Sequence, residues 1–120
     1  MAKAGSNGEI KVEYILEQAG FDFEREYEFE GLVASSGRPL RFDFAVFDDD
    51  GELDFLIEYQ GEQHYQPKKA FGGYPGLQRQ RFNDKAKKVY CEERKIPLVE
   101  IAYHEYNALD LNMILKRAGI

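Results

Sequence analysis

A chain of 120 residues with 43% apolar content is about one domain long and can bury a modest single core without disulfide staples. The first residues lead into no long apolar run, and no later stretch approaches the roughly 18 apolar residues that would span a membrane, so an unexported, cytoplasmic protein with no membrane partner is expected. Cys91 is the single cysteine, which leaves no internal disulfide, no cysteine-based zinc site and no redox pair.

The formal net charge of -6 conceals an asymmetry along the chain. Residues 1–65 hold 5 basic and 16 acidic side chains, whereas residues 66–95 hold 9 basic and 3 acidic ones. A basic middle segment inside an acidic protein is either a local phosphate footprint, because counterion release depends on the charges at the contact, or a solvated helix face.

In chain order, Ser6-Asn7-Gly8-Glu9 has the spacing of a capping box, and Val12, Ile15, Leu16 and Ala19 then share one helical face that Gly20 closes. Between residues 21 and 29, aromatic and charged residues alternate with a local shift (Phe21, Phe23, then Tyr27, Phe29), which predicts a strand with one exposed face. Residues 31–39 read as a connection, with a short extension of pairing around Leu32 and Val33.

Residues 40–47 and 52–60 flank Asp48-Asp49-Asp50-Gly51 and read as a hairpin. Asp-Gly is a favoured two-residue hairpin loop because both positions tolerate positive φ. With Asp50 and Gly51 as the loop, Phe47 faces Asp54, Ala45 faces Leu56 and Asp43 faces Glu58. A loop shifted to Asp49-Asp50 leaves the two acids diagonal but still on one face.

Residues 61–76, with Gly72-Gly73 and the aromatics Tyr65, Phe71 and Tyr74, predict a loop that carries Lys68 and Lys69. A helix over about 77–94 follows, with Phe82, Ala86, Val89 and Tyr90 toward the core and Arg81, Lys85 and Lys88 along one flank. Residues 97–103 suit a buried strand, and a last helix lies within about 107–118. This alternation of helix, strand, hairpin, helix, strand and helix predicts an α/β fold with a mixed sheet flanked by helices.

Like charges opposite one another in a ladder are destabilising, so Asp43 facing Glu58 among apolar neighbours calls for a compensating partner. Carboxylate oxygens suit Mg²⁺, with Mn²⁺ as the alternative ion. The other reading of the pair is two exposed acids on a sheet face, one matched to Arg41. Gln60 lies two residues beyond Glu58 and points to the same side, where its amide can position a water or a phosphate. His64, just past the strand, can exchange protons near neutral pH; alone, it would be a loop histidine packed beside Tyr65. Glu9 is a further candidate acid at the edge of the first helix's apolar face, and its capping role with Ser6 explains it equally well.

Arg41-Phe-Asp43-Phe, then Leu56-Ile-Glu58-Tyr-Gln60-Gly-Glu-Gln-His64-Tyr, then Arg81-Phe-Asn-Asp84-Lys-Ala-Lys87 resemble the very-short-patch-repair-like and phage-type homing endonuclease branch of the PD-(D/E)XK nuclease superfamily. The resemblance implies a restriction-endonuclease-like αβββαβ core over about 6–103 within a single domain, 1–120. It implies a phage-encoded, metal-dependent endonuclease that hydrolyses DNA phosphodiester bonds, with Asp43 and Glu58 as metal ligands, the Tyr59 carbonyl as a further donor, and His64 as acid or base. The lysine of the usual motif falls at Gln60, so charge on the phosphate has to be offset by His64, Arg81, Lys85 or a second metal. Lys68, Lys69, Arg79, Arg81, Lys85 and Lys88 would track the DNA backbone, and cutting both strands would require a homodimer or two visits. Two other readings fit the same residues: a nuclease-fold module that binds nucleic acid without turnover, and a protein-interaction domain built on the acidic first half.

Overall fold

Ser6 opens the first helix, α1 (Asn7–Ala19): its hydroxyl accepts the Glu9 amide at 3.3 Å, and Gly20 closes the helix at φ 78°. Residues 6–62, 65, 68–69 and 72–120 are described by the structure, a computed structural model. Val12 and Leu16 are buried from α1 as their spacing predicts, together with Gly8. Ala19, expected on the same face, is exposed because the helix ends there and the chain turns away into the sheet.

Four strands follow in spatial order: β1 (Asp22–Val33), β2 (Pro39–Phe47), β3 (Leu53–Gln60) and β4 (Leu98–Ala102). The first three pair antiparallel, and β4 joins β3 in parallel after a crossover through α2 (Gly73–Arg94). A 3-10 helix, Tyr103–Ala108, and α3 (Leu111–Arg117) complete an α/β fold with a mixed sheet. On one face α1 and α3 enclose Phe44, Val46, Phe55, Ile57, Val99 and Ile101. On the other, α2 and the far half of β1 cover Phe42, Ala45 and Leu56. Among the described residues no helix is long and apolar enough to cross a membrane.

The β2–β3 turn is longer than the expected Asp50-Gly51 loop. Asp48 and Glu52 close it, the Asp48 amide donating to the Glu52 carbonyl at 2.8 Å, and Asp48 Oδ1 accepts the amides of Asp50 and Glu52. Gly51 takes φ 81°, so the three-residue loop ends on the left-handed residue that such hairpins need. Phe47 therefore pairs with Leu53 and not with Asp54; the slip between Val46 and Phe47 then restores Ala45 opposite Leu56.

The aromatic shift read in β1 marks a change of face. Phe21 and Phe23 pack with the α1 side, whereas Tyr27 and Phe29 pack with the α2 side, and between them Glu26 adopts φ 52°. The partner strand changes face at the same level: Phe44 and Val46 lie on the α1 side and Phe42 and Leu40 on the other, with Asp43 between.

α2 begins earlier than the expected residue 77 and is rotated from its expected orientation. Phe82 and Val89, expected in the core, are 61% and 40% exposed. The inward stripe carries Leu77, Lys87 and Cys91, with Ala86 and Tyr90 partly buried beside it. The cause is the ion pair described next: a buried carboxylate needs a cation, and a helix with little apolar surface turns to supply one.

Candidate active site

The β2–β3 ladder ends at Phe44 opposite Ile57, and beyond it the strands part. In the fork, side chains do the work of main-chain bonds. The Asp43 amide donates to Glu58 Oε2 at 2.9 Å, and the Tyr59 amide donates to Asp43 Oδ2 at 2.7 Å. The two acids thus stand together, as the hairpin reading predicts, Glu58 satisfying the Asp43 amide and Asp43 the Tyr59 amide where the ladder no longer can.

Lys87 completes the fork from α2. Its Nζ lies 2.6 Å from Glu58 Oε1, with both side chains buried, and 5.4 Å from the Phe42 ring centroid. Burial pushes the Asp43 carboxyl up to about 8; the Glu58 and Glu9 charges add to this, and the Tyr59 amide and Lys87 oppose it. Burial also raises Glu58, against the opposing pull of the Lys87 ammonium. Arg41, the alternative partner considered for the acids, instead lies 2.7 Å from Glu28 and 3.6 Å from Glu26.

Glu9 leans toward the sheet while keeping its place at the helix start. Its Oε1 is 2.8 Å from Arg25, which also reaches Glu13 at 2.8 Å and lies over the Phe44 ring. The Arg25 Nε is buried without a hydrogen-bond partner among the described residues, where Arg25 is held by its two carboxylates and by the ring.

Gln60 points to the same side as Glu58 and is oriented at both ends of its amide. Its Nε2 donates to Glu100 at 2.9 Å, and its Oε1 accepts the Tyr65 hydroxyl at 2.8 Å. Glu100, which stands beside Glu58 in the parallel register, also receives Lys88 at 3.3 Å. These groups border a recess of about 350 Å³ that Arg81, Asp84 and Lys85 line from α2. Arg81, Lys85 and Lys88 therefore share one flank near the fork. Lys68 is paired with Glu62 at 3.1 Å, Lys69 is exposed, and Arg79 lies on the opposite flank of α2. His64 lies outside the described residues.

Two members of this constellation were not singled out from sequence. Lys87 stood inside the quoted Arg81 to Lys87 motif, yet the apolar pattern of the helix pointed elsewhere. Glu100 could have been found from the parallel pairing of a strand after α2 with β3.

Comparison with protein-family models, curated proteins and solved structures finds no match to this chain. The chemistry of the donors can still be tested against a divalent cation. Asp43 Oδ1 accepts no hydrogen bond among the described residues, while both Glu58 oxygens are engaged. No group of three or more His, Cys, Asp and Glu side chains forms a metal cage among the described residues. A carboxylate pair suits Mg²⁺, which takes one or two carboxylates and otherwise keeps water and phosphate oxygens.

Proposed function

We propose that this chain is a metal-dependent endonuclease of the PD-(D/E)XK type, with DNA as its substrate and a restriction-endonuclease-like core. The observation that carries the proposal is the fork, where two carboxylates on parting strands meet a buried lysine from the crossover helix. Lys87 supplies the positive charge that Gln60 lacks in the place where the superfamily motif has its lysine.

Asp43 and Glu58 would hold the Mg²⁺ ion, which when bound supplies an acidified water and a charge against the phosphate. The chain's own residues set the rest. Lys87 keeps Glu58 fixed and brings a cation next to it; Gln60, held between Glu100 and Tyr65, presents the rest of its amide toward water or phosphate. Arg81, Lys85 and Lys88 give the flank its positive charge, which engages phosphates without reading sequence. His64 retains its proposed role as acid or base.

One observation favours the reading without turnover: Glu58 is already satisfied by Lys87 and the Asp43 amide, so a cation has to displace or share these bonds. Plasmid cleavage by the purified protein with Mg²⁺, Mn²⁺ or EDTA decides between the two. Nicking that needs metal and falls at least about a hundredfold in both Asp43→Asn and Lys87→Met is the expected result. DNA left intact by the folded wild type, yet still bound, would make the chain a binding module.

A further inference from the structure

Two of the most exposed aromatic side chains, Tyr74 at 70% and Phe82 at 61%, both stand on α2, Tyr74 next in sequence to Pro75, which lines the same groove as Phe82. Eight residues of helix separate them, which is about 12 Å along the axis. Phe82 also lines a groove of about 680 Å³ between the first part of α2 and the β1–β2 turn, where Ser35, Arg38, Arg79 and Asn83 supply polar and cationic edges. Neither Arg38 nor Arg79 forms an ion pair with a carboxylate among the described residues, although the chain as a whole is acidic.

The groove is continued along α2. A second recess shares Arg79 and Asn83 with it and reaches Gln80, whose amide donates to Asp84 at 3.2 Å on the inward side of α2. Leu40, on the groove wall, precedes Asp43 by three residues on β2, about 10 Å of strand.

Exposed rings near guanidinium groups that have no carboxylate partner among the described residues suit one kind of partner. Bases that are free of a duplex stack on aromatic rings, and their phosphates are met by arginine, whereas bases inside a duplex have no free face to offer. We infer that this groove binds an unpaired nucleic-acid strand, with bases stacked on Phe82 and Tyr74 and phosphates on Arg38 and Arg79, so that the substrate is single-stranded or branched. The inference rests on the nuclease reading for what is cut, and not for what is bound.

Fluorescence anisotropy in EDTA at low salt, with a labelled oligothymidylate of about 20 nucleotides and a duplex of the same length, tests it apart from turnover. The single strand is expected to bind at least about tenfold tighter than the duplex, and Phe82→Ala and Tyr74→Ala to weaken it about tenfold each. Arg38→Gln should flatten the salt dependence of binding. Because both rings stand mostly in solvent, these variants should fold, as circular dichroism will show. Equal affinity for strand and duplex, or strand binding indifferent to Phe82→Ala, overturns the inference, as does a Phe82-dependent dimer without strand binding. A strand preference in a protein that cuts nothing leaves the groove standing and removes the nuclease; cleavage of intact duplex unaffected by Phe82→Ala does the reverse.

Discussion

Asp43 concentrates the chemistry of the molecule in one carboxyl. Its pKa is raised from 3.8 to about 8, chiefly by burial and then by Glu58 and Glu9. Between these values the unfolded chain has given up the proton that the folded chain keeps, so the contribution of this group to stability is fully present below about pH 4 and is lost as pH rises toward about 8. In EDTA the slope from this one group approaches about 1.4 kcal/mol per pH unit. Asp43→Asn keeps an acceptor for the Tyr59 amide but has no proton to lose, so urea denaturation should show the variant gaining on the wild type from pH 5 to 8. Parallel curves for the two proteins would mean that the carboxyl is not protonated in the fold. The closeness of Asp43 and Glu58 was legible because period-two strands and an Asp-Gly turn bring them onto one face in either loop register. Lys87 was not legible, since hydrophobic periodicity says which helix face is apolar and nothing about which buried anion lacks a cation.

Element by element, the helix and strand order was readable from caps, alternation and turn residues, and the errors lie where a polar demand overrode the pattern. α2 offers two faces: the apolar pattern of Phe82, Ala86, Val89 and Tyr90 favours one, while the ion pair turns Leu77, Lys87 and Cys91 inward, leaving Ala86 and Tyr90 at the margin of the core and Phe82 and Val89 outside it. α1 is placed by a close approach that composition alone does not reveal. A Cβ on Gly8 would lie 2.0 Å from Tyr59 Cζ, and the ring has little room to retreat, being 8% exposed with its hydroxyl donating to the Tyr103 carbonyl at 3.3 Å. By helix propensity Gly8→Ala would gain about 1 kcal/mol, whereas overpacking costs typically about 1–3 kcal/mol. The clash should win, with a net loss of up to about 2 kcal/mol in thermal or urea unfolding. Tyr59→Leu should relieve most of that loss in the double variant; a Gly8→Ala protein more stable than wild type would show that α1 is free to shift.

Across the whole molecule, burial is uneven. β2 and β3 hold Phe42, Phe44, Ala45, Val46, Phe55, Leu56 and Ile57 at 0% exposure, whereas α2, with 22 residues, buries Leu77, Cys91 and the ion-paired Lys87. Low apolar burial predicts local opening, so native-state hydrogen exchange should find α2 opening at least about 2 kcal/mol below the central strands, and a bound oligonucleotide should narrow that gap. Equal protection of α2 and β3 would show that the Glu58–Lys87 pair binds the helix as firmly as a core does. The joint change of face at Glu26 and Asp43 also bears on how the chain finds its pairing. In an ordinary amphipathic ribbon, a slip of one residue inverts every side chain, but a slip of two keeps inside and outside intact and can persist as a misfold. Here a two-residue slip sets the switch points of β1 and β2 out of step and drives aromatic rings to opposite faces of one pair. The irregularity that opens the fork thereby acts as an alignment key, admitting one register between the strands and rejecting its nearest competitors.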